Sequence, residues 1–272
     1  MLDAKLLLKE VIPYLSGGKV GKQREIDILE IVQAIFYRLK TGCQWRELPV
    51  KAFISRGGTK WTAIYYHYYK WCKDESWQRA WVNILSKYKA YLDMSCVNLD
   101  GSQTRAYQGG EAVGYQGRKK YQSTNMLFMI DNQGIILFCS HPVSGAHHDL
   151  YDIEKQFEQI VEMAQQAGVE LSYLFMNADA GFDDAAFRRL LEEKDIQANI
   201  AFNPRKAGIT DRDEYFDEAL YQRRAFAEHA FAWMDGFKGL LIRYETLAST
   251  WLAMNLMGMI HLFLRKISKH IT

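Results

Sequence analysis

Near Cys96 the hydrophobic pattern of the chain changes period, dividing its 272 residues into two kinds of structure. Before that point apolar residues recur at helical spacing. Ile28, Ile31, Val32, Ile35 and Leu39 mark a helix over 24–41, and two more helices are expected over 59–73 and 76–92. Thr41-Gly42 closes the first of these, and Leu48-Pro49 with Ser55 to Gly58 marks a loop. After Cys96 short apolar runs take over. Cys96-Val97-Asn98-Leu99 reads as a strand ending on Asp100, followed by a Gly-rich stretch from Gly109 to Gly117. Met126 to Ile130 and Ile135 to Cys139 read as two strands joined by a hairpin loop, Asp131-Asn132-Gln133-Gly134. Helices are expected over 151–167 and 184–194, strands over Tyr173 to Met176 and Ala198 to Phe202, and helix again from about 219. The order β-β-β-α-β-α-β-α describes an α/β fold, a mixed five-stranded sheet flanked by helices. An all-α, helix-turn-helix-like N-terminal domain over 1–95 precedes it, leaving 96–272 for the sheet domain.

With 49% hydrophobic and 24% charged residues, the chain has the composition of a packed globular protein rather than a disordered one. The net charge of +2 says little about partners, but its distribution says more. Residues 1–96 carry 16 basic against 9 acidic residues, and 151–200 carry 4 against 11. A basic N-terminal third suits an anionic polymer, although a solvated basic face is the blander reading. Cys43, Cys72, Cys96 and Cys139 lie far apart with no C-x-x-C pair, which argues against a structural zinc site or a disulfide framework. The first residues do not resemble a signal peptide. Thr246 to Leu264 is 19 residues without a charge, close to a membrane span in length. It holds Thr246, Ser249, Thr250, Asn255 and His261, so a buried C-terminal helix is expected instead of a membrane-associated one. A cytoplasmic location with no membrane contact follows.

Two acids close predicted strands: Asp100, and Asp179 after Leu174 to Ala178. Ligand sites of open α/β sheets form at the carboxyl ends of strands, so both are well placed, although an isolated strand-end acid is more often a turn residue. Asp183 and Asp184 are expected to cap the next helix. Around Glu228, Tyr221, Arg224, Glu228 and Asp235 fall on one helical stripe, and Phe226, Ala230, Trp233 and Phe237 on the opposite one. An exposed Arg224–Glu228 pair would contribute only ~0.2–0.5 kcal/mol, and such a face needs no aligned tyrosine. Three carboxylates converging at strand ends would suit Mg²⁺ or Mn²⁺. Two ions about 3.5–4 Å apart can clamp the attacking and leaving oxygens of a phosphoryl displacement.

Leu99-Asp100-Gly101-Ser102, Asn177-Ala178-Asp179-Ala180-Gly181-Phe182-Asp183 and Tyr221-x2-Arg224-x3-Glu228 resemble the catalytic signature of DDE transposases. The nearest group is the insertion-sequence-five transposases of bacteria, within the insertion-sequence-four superfamily. Arg223 to Trp233, Arg243-Tyr244-Glu245, and Thr41-Gly42-Cys43-Gln44-Trp45-Arg46-Glu47-Leu48-Pro49 share the likeness. It runs through nearly the whole chain, with acid spacings of 79 and 49. The resemblance implies an RNase H-like core in which Asp100, Asp179 and Glu228 bind two Mg²⁺ or Mn²⁺ ions, with Tyr221 and Arg224 touching the DNA strand beside the cleavage point. The family pattern places a Lys seven residues after the Glu; here Asp235 stands there, and Lys238 lies three residues on, about 60° away around a continuous helix. Ser144-Gly145-Ala146-His147-His148-Asp149 also resembles a family segment, read here as a turn near the site.

In the helix over 59–73, Trp61, Ile64, Tyr68 and Trp71 form an apolar stripe suited to a core, while Thr62, Tyr66, Tyr69, Lys70 and Lys73 combine aromatics with charge. The second stripe suits a helix laid on DNA, the competing reading being lysines that snorkel from a helical bundle. Arg118, Lys119 and Lys120 could clamp a strand near Asp100, or form a solvated loop. The resulting expectation is a transposase that binds terminal inverted repeats, cleaves a phosphodiester with metal-activated water and joins the 3′-OH ends to target DNA. It would work as a homodimer or larger assembly on double-stranded DNA. The rival readings are a metal-dependent nuclease without strand transfer and a domesticated, non-catalytic DNA-binding protein.

Overall fold

The computed structural model describes residues 2–17, 26–203 and 215–271. Its α-helices of four or more residues, a single turn at Val50–Phe53 aside, are α1 (Ile28–Thr41), α2 (Trp61–Lys73), α3 (Ser76–Tyr88), α4 (Ile153–Gln166), α5 (Ala185–Glu193), α6 (Glu218–Tyr221), α7 (Ala225–Met234), α8 (Lys238–Leu241) and α9 (Ala248–Ile271). The strands are β1 (Val97–Arg105), β2 (Gly114–Gln116), β3 (Tyr121–Asp131), β4 (Ile136–Cys139), β5 (Val143–Ser144), β6 (Phe175–Ala178) and β7 (Gln197–Ile200).

These elements form two compact units, and the division differs from the expected boundary at residue 95. One unit holds 1–87, 105–111 and 233–272; the other holds 88–104 and 112–232. The C-terminal 40 residues therefore group with the N-terminal helices, and the reason lies in the uncharged segment. A helix apolar on nearly every side must be buried all round. Trp251, Met254, Met257, Ile260, Phe263 and Leu264 of α9 are all buried, and Phe263 meets the edge of Trp81 on α3 at 5.6 Å between ring centres. Among the described residues, no helix is long and apolar enough to cross a membrane.

Within this first unit α1 begins at Asp27, whose carboxylate caps the Leu29 N–H. It ends at Gly42, whose φ of 65° lies in the left-handed region a glycine enters freely. Residues 24 and 25, where the helix was expected to start, lie outside the described residues. Ile64, Tyr68 and Trp71 of α2 are buried as their spacing predicts, while Trp61 is half-buried. The Tyr68 hydroxyl donates to the Thr250 carbonyl at 2.6 Å, and Arg38 and Glu245, both about 5% exposed, pair at 2.7 Å.

The second unit is built on a seven-stranded mixed sheet with the path β2-β3-β1-β6-β7, β4 and β5 also pairing with β3. β2 and β5 are the two strands beyond the expected five, and β2 draws part of the Gly-rich stretch into a hairpin with β3. Among the five expected strands the spatial order is 3-2-1-4-5, with the first, fourth and fifth (β1, β6, β7) parallel. That is the RNase H-like arrangement. The hairpin between β3 and β4 turns as predicted: Gly134 has φ 82°, and the Asp131 carboxylate accepts from the Gln133 and Ile135 N–H groups. Phe157 of α4 and Phe187 of α5 meet edge to face at 5.6 Å beside the sheet.

His261 on α9 is buried between Phe36 and Phe237. Burial first, then the charges of Arg265 and Lys40, lowers its pKa from 6.5 to about 4. Because the folded pKa lies below the unfolded one, stability is fully present above about pH 6.5 and falls as the pH drops toward 4. At ~1.4 kcal/mol for each pH unit between the two values, the loss is about 3 kcal/mol. Thermal unfolding of the wild type and His261→Leu from pH 8 to pH 4 is expected to show the wild type losing ground to the variant through that window. Parallel pH profiles would contradict it.

Candidate active site

The parallel pairing of β1 with β6 sets Asn98 opposite Asn177, and β6 with β7 sets Asn177 opposite Asn199. Side chains two residues apart along a strand share a face, so Asp100 and Asp179 rise from the same face one row further on; Asp179 lies just past the end of β6, whereas β1 runs on to Arg105 instead of ending at Asp100 as expected. Asp179 ends its strand by capping the Gly181 N–H at 2.8 Å. Asp100 accepts from the Gly101 N–H at 2.8 Å.

Burial raises the Asp100 pKa to about 6; Arg224 and the Gly101 N–H oppose the shift, and the charges of Asp179 and Asp149 add to it. The carboxylates are thus close enough to repel, a condition that a cation relieves. A side-chain cation already stands there. Arg224 Nη2 lies 3.4 Å from Asp100 Oδ2, its Nη1 is 3.4 Å from the Tyr221 hydroxyl, and its Nε is buried with no hydrogen-bond partner. The donors of Asp100 and Asp179 are hard carboxylate oxygens, the chemistry Mg²⁺ or Mn²⁺ prefers. Among the described residues, however, no three His, Cys, Asp or Glu side chains gather closely enough to hold an ion. Glu228 is exposed on α7.

Residues 94–260 match the family model described as DDE superfamily endonuclease. The chain belongs to the DDE endonuclease superfamily. Residues 6–81 match a second model, for a transposase of IS4/5 family, so the chain is a DDE transposase, an enzyme acting on DNA. Its superfamily works with divalent metal ions. Among solved structures the chain is similar to a Mos1 transposase paired-end complex with left transposon end, at 12% identity over 88% of this chain and 77% of that one, TM-score 0.31. It is also similar to a piggyBac transposase synaptic complex with hairpin DNA, at 12% identity over 95% and 68%, TM-score 0.46. No curated protein matches it in sequence.

In this transposase the residues singled out by sequence fall into separate groups. Asp100, Asp179, Tyr221, Arg224, Glu228 and Arg118 to Lys120 belong to the second unit, the last three exposed at the turn between β2 and β3. Thr62, Tyr66, Tyr69, Lys70 and Lys73 lie on α2 in the first unit, as does Lys238 on α8. Thr62, Tyr66 and Lys73 are exposed. Lys70 Nζ is engaged with the Gly17 carbonyl at 2.7 Å, and Lys73 lies over the Tyr69 ring at 5.3 Å.

The helix geometry assumed around Glu228 needs correction. Gln222–Arg224 form a 3₁₀ turn between α6 and α7, so the stripe from Tyr221 to Asp235 is not on one regular helix. α7 ends at Met234, before Gly236, so Lys238 does not stand 60° around the same helix from position 235. The buried residues of this segment are Ala227, Ala230, Met234 and Phe237, while Trp233 is 48% exposed. Ala227 and Ala230 let the helix lie close, and Phe231 meets Phe128 of β3 edge to face at 5.6 Å between ring centres. Asp184 caps α5 as expected through the Ala186 and Phe187 N–H groups. Asp183 instead is buried in a 3.0 Å ion pair with Arg188.

Sequence reasoning missed the position of Asp149. Its carboxylate accepts from Asn125 Nδ2 at 2.6 Å and rests against the Cα of Gly101, where a side-chain carbon would overlap it. Glycine beside Asp100 is thus a steric requirement, and the only sequence signal was the family-like segment ending in His148-Asp149. Gly101→Ala is expected to destabilise the enzyme by about 1–3 kcal/mol through overpacking. In an Asp149→Ala background most of that penalty should vanish in urea unfolding; an equal penalty in both backgrounds would refute the contact.

Proposed function

We propose that the enzyme binds the terminal inverted repeats of a mobile element, hydrolyses a phosphodiester at their boundary and joins the freed 3′-OH to target DNA. The observation that carries this reading is the register of β1 on β6, which sets two half-buried aspartates on one face of neighbouring strands with Arg224 against the first. In this proposal Asp100, Asp179 and Glu228 hold two Mg²⁺ or Mn²⁺ ions. Such ions would lower the pKa of the attacking water or hydroxyl and offset charge on the leaving oxygen. Arg224, able to fork onto a phosphate, turns from Asp100 to the DNA backbone, with Tyr221 beside it. Preorganised charge and positioning provide the rate, without a covalent enzyme intermediate.

Outside the metal site, Thr62, Tyr66, Tyr69, Lys70 and Lys73 on α2 are proposed to meet repeat DNA. Lys238 and the turn at Arg118, Lys119 and Lys120 are proposed to contact phosphates. Because two ends are processed together, the working form is proposed to be a homodimer or larger assembly on DNA. The site of action is proposed to be the bacterial cytoplasm, at the nucleoid.

The test incubates labelled duplexes carrying the element's ends with the protein and Mg²⁺ or Mn²⁺. Cleavage to a 3′-OH and joined products are expected from the wild type, with losses of about 10³-fold or more in Asp100→Asn, Asp179→Asn and Glu228→Gln. Cleavage without joining would identify a nuclease. Specific binding with no metal-dependent product would identify a DNA-binding protein that has lost catalysis.

A further inference from the structure

Asn98, Asn177 and Asn199 occupy one row across three parallel strands, and all three are fully buried. Asparagine is a poor strand former, and a buried amide is costly unless hydrogen-bonded. Three in one row therefore break a local rule together, which is where a function is to be sought. Their amides form a chain. Asn199 Nδ2 donates to Asn177 Oδ1 at 2.8 Å, and Asn177 Nδ2 donates to Asn98 Oδ1 at 3.0 Å.

The chain also reaches out of the sheet. Asn177 Nδ2 donates to the Leu220 carbonyl at 2.8 Å, and Asn199 Nδ2 to the Asp217 carbonyl at 3.0 Å. Asn199 Oδ1 accepts from the Asp217 N–H at 2.8 Å. These backbone partners fix which way the Asn177 and Asn199 amides point, since an N–H must meet an oxygen and a carbonyl a nitrogen; Asn98 is tied only through its Oδ1, its Nδ2 being buried without a hydrogen-bond partner. Asp217 is itself the N-cap of α6, accepting from the Leu220 N–H at 2.9 Å. The amides thus hold both ends of the turn that opens α6, immediately before Tyr221, Arg224 and, on α7, Glu228. One row above them on the same face stand Asp100 and Asp179.

We propose that Asn177 and Asn199 are positioning residues: through the Asp217–Leu220 turn they set Arg224 and Glu228 against Asp100 and Asp179. The proposal rests on the reading of Asp100, Asp179 and Glu228 as the catalytic acids. An ordinary polar tie in the core would stabilise the sheet but would leave the chemistry of a folded enzyme alone. Asn177→Leu, close to asparagine in size, removes the tie to Leu220 and both amide links.

The experiment measures cleavage of a labelled element end together with hydrogen exchange of the protein without DNA or metal. The expected result is a fall in kcat of about 100-fold, with KM for the DNA end within about threefold. Amide exchange should rise in 217–232 while β1, β6 and β7 keep theirs. A kcat within about threefold of the wild type, or exchange raised evenly through sheet and helices, overturns the proposal. Should Asn177→Leu fail to fold, Asn199→Ala on the outermost strand of that side gives the same two readings. A wild type that leaves the ends uncut would count against the catalytic reading; the exchange pattern would then decide the ladder alone.

Discussion

The register of two parallel strands is the constraint on which the rest of the site depends. With Val97 opposite Met176 and Asn98 opposite Asn177, every second residue of β1 and β6 faces the same way, and the aspartates that follow are neighbours. A slip of one residue would turn Asp179 to the other face and leave Asp100 alone. Backbone pairing by itself tolerates such slips in short strands, and β6 has only four residues. The linked amides give the register a second fastening, because a shifted strand would leave Asn177 and Asn199 buried without partners.

The site gathers groups that would be unfavourable elsewhere. Asp100 is about four-fifths buried as a side chain, beside two other carboxylates whose charges raise its pKa. Arg224 answers that charge from a segment that is not a regular helix. The 3₁₀ turn at Gln222–Arg224 sits between two helices held differently: α6 by the asparagines, α7 by its small alanines against the interior. Gly101 matters for a related reason, since the backbone beside the first aspartate must admit the carboxylate of Asp149. A position within β1 can carry such crowding because the sheet that holds it is rigid.

The helical unit follows a different logic, in which burial decides. A C-terminal helix of 24 residues with almost no charge through its first three-quarters has to be enclosed. The N-terminal helices supply the enclosure with Trp77, Trp81, Trp71 and Tyr68, all fully buried. The Arg38–Glu245 pair, buried within this apolar surround, costs desolvation and is tolerated because each charge has its partner.

Much of this was legible in the sequence. Helical periodicity placed α1 and α2, and short apolar runs marked the five principal strands, although β1 runs on to Arg105, past the Asp100 at which it was expected to end. The hairpin at Asp131 to Gly134 and the caps at Asp27 and Asp184 were likewise written in short-range chemistry. The family signature marked Asp100, Asp179, Arg224 and Glu228 as the residues to watch. What local reading could not reach depends on contacts between distant segments. It extended one helix through Tyr221 to Asp235 and Lys238, whereas packing inserts a 3₁₀ turn and ends α7 at Met234. It drew a boundary at residue 95, whereas the hydrophobic demand of α9 sends the C-terminus to the N-terminal helices. Nor did it see that Asn98, Asn177 and Asn199 form one row, or that Asp149 abuts Gly101, since strand register and loop path appear only when the sheet is assembled. The sequence by itself determined which residues are candidates for the chemistry and which segments must be buried, because charge and hydrophobicity are local properties. Tertiary structure alone decided which of them meet, because pairing across the sheet is a property of segments up to 79 residues apart.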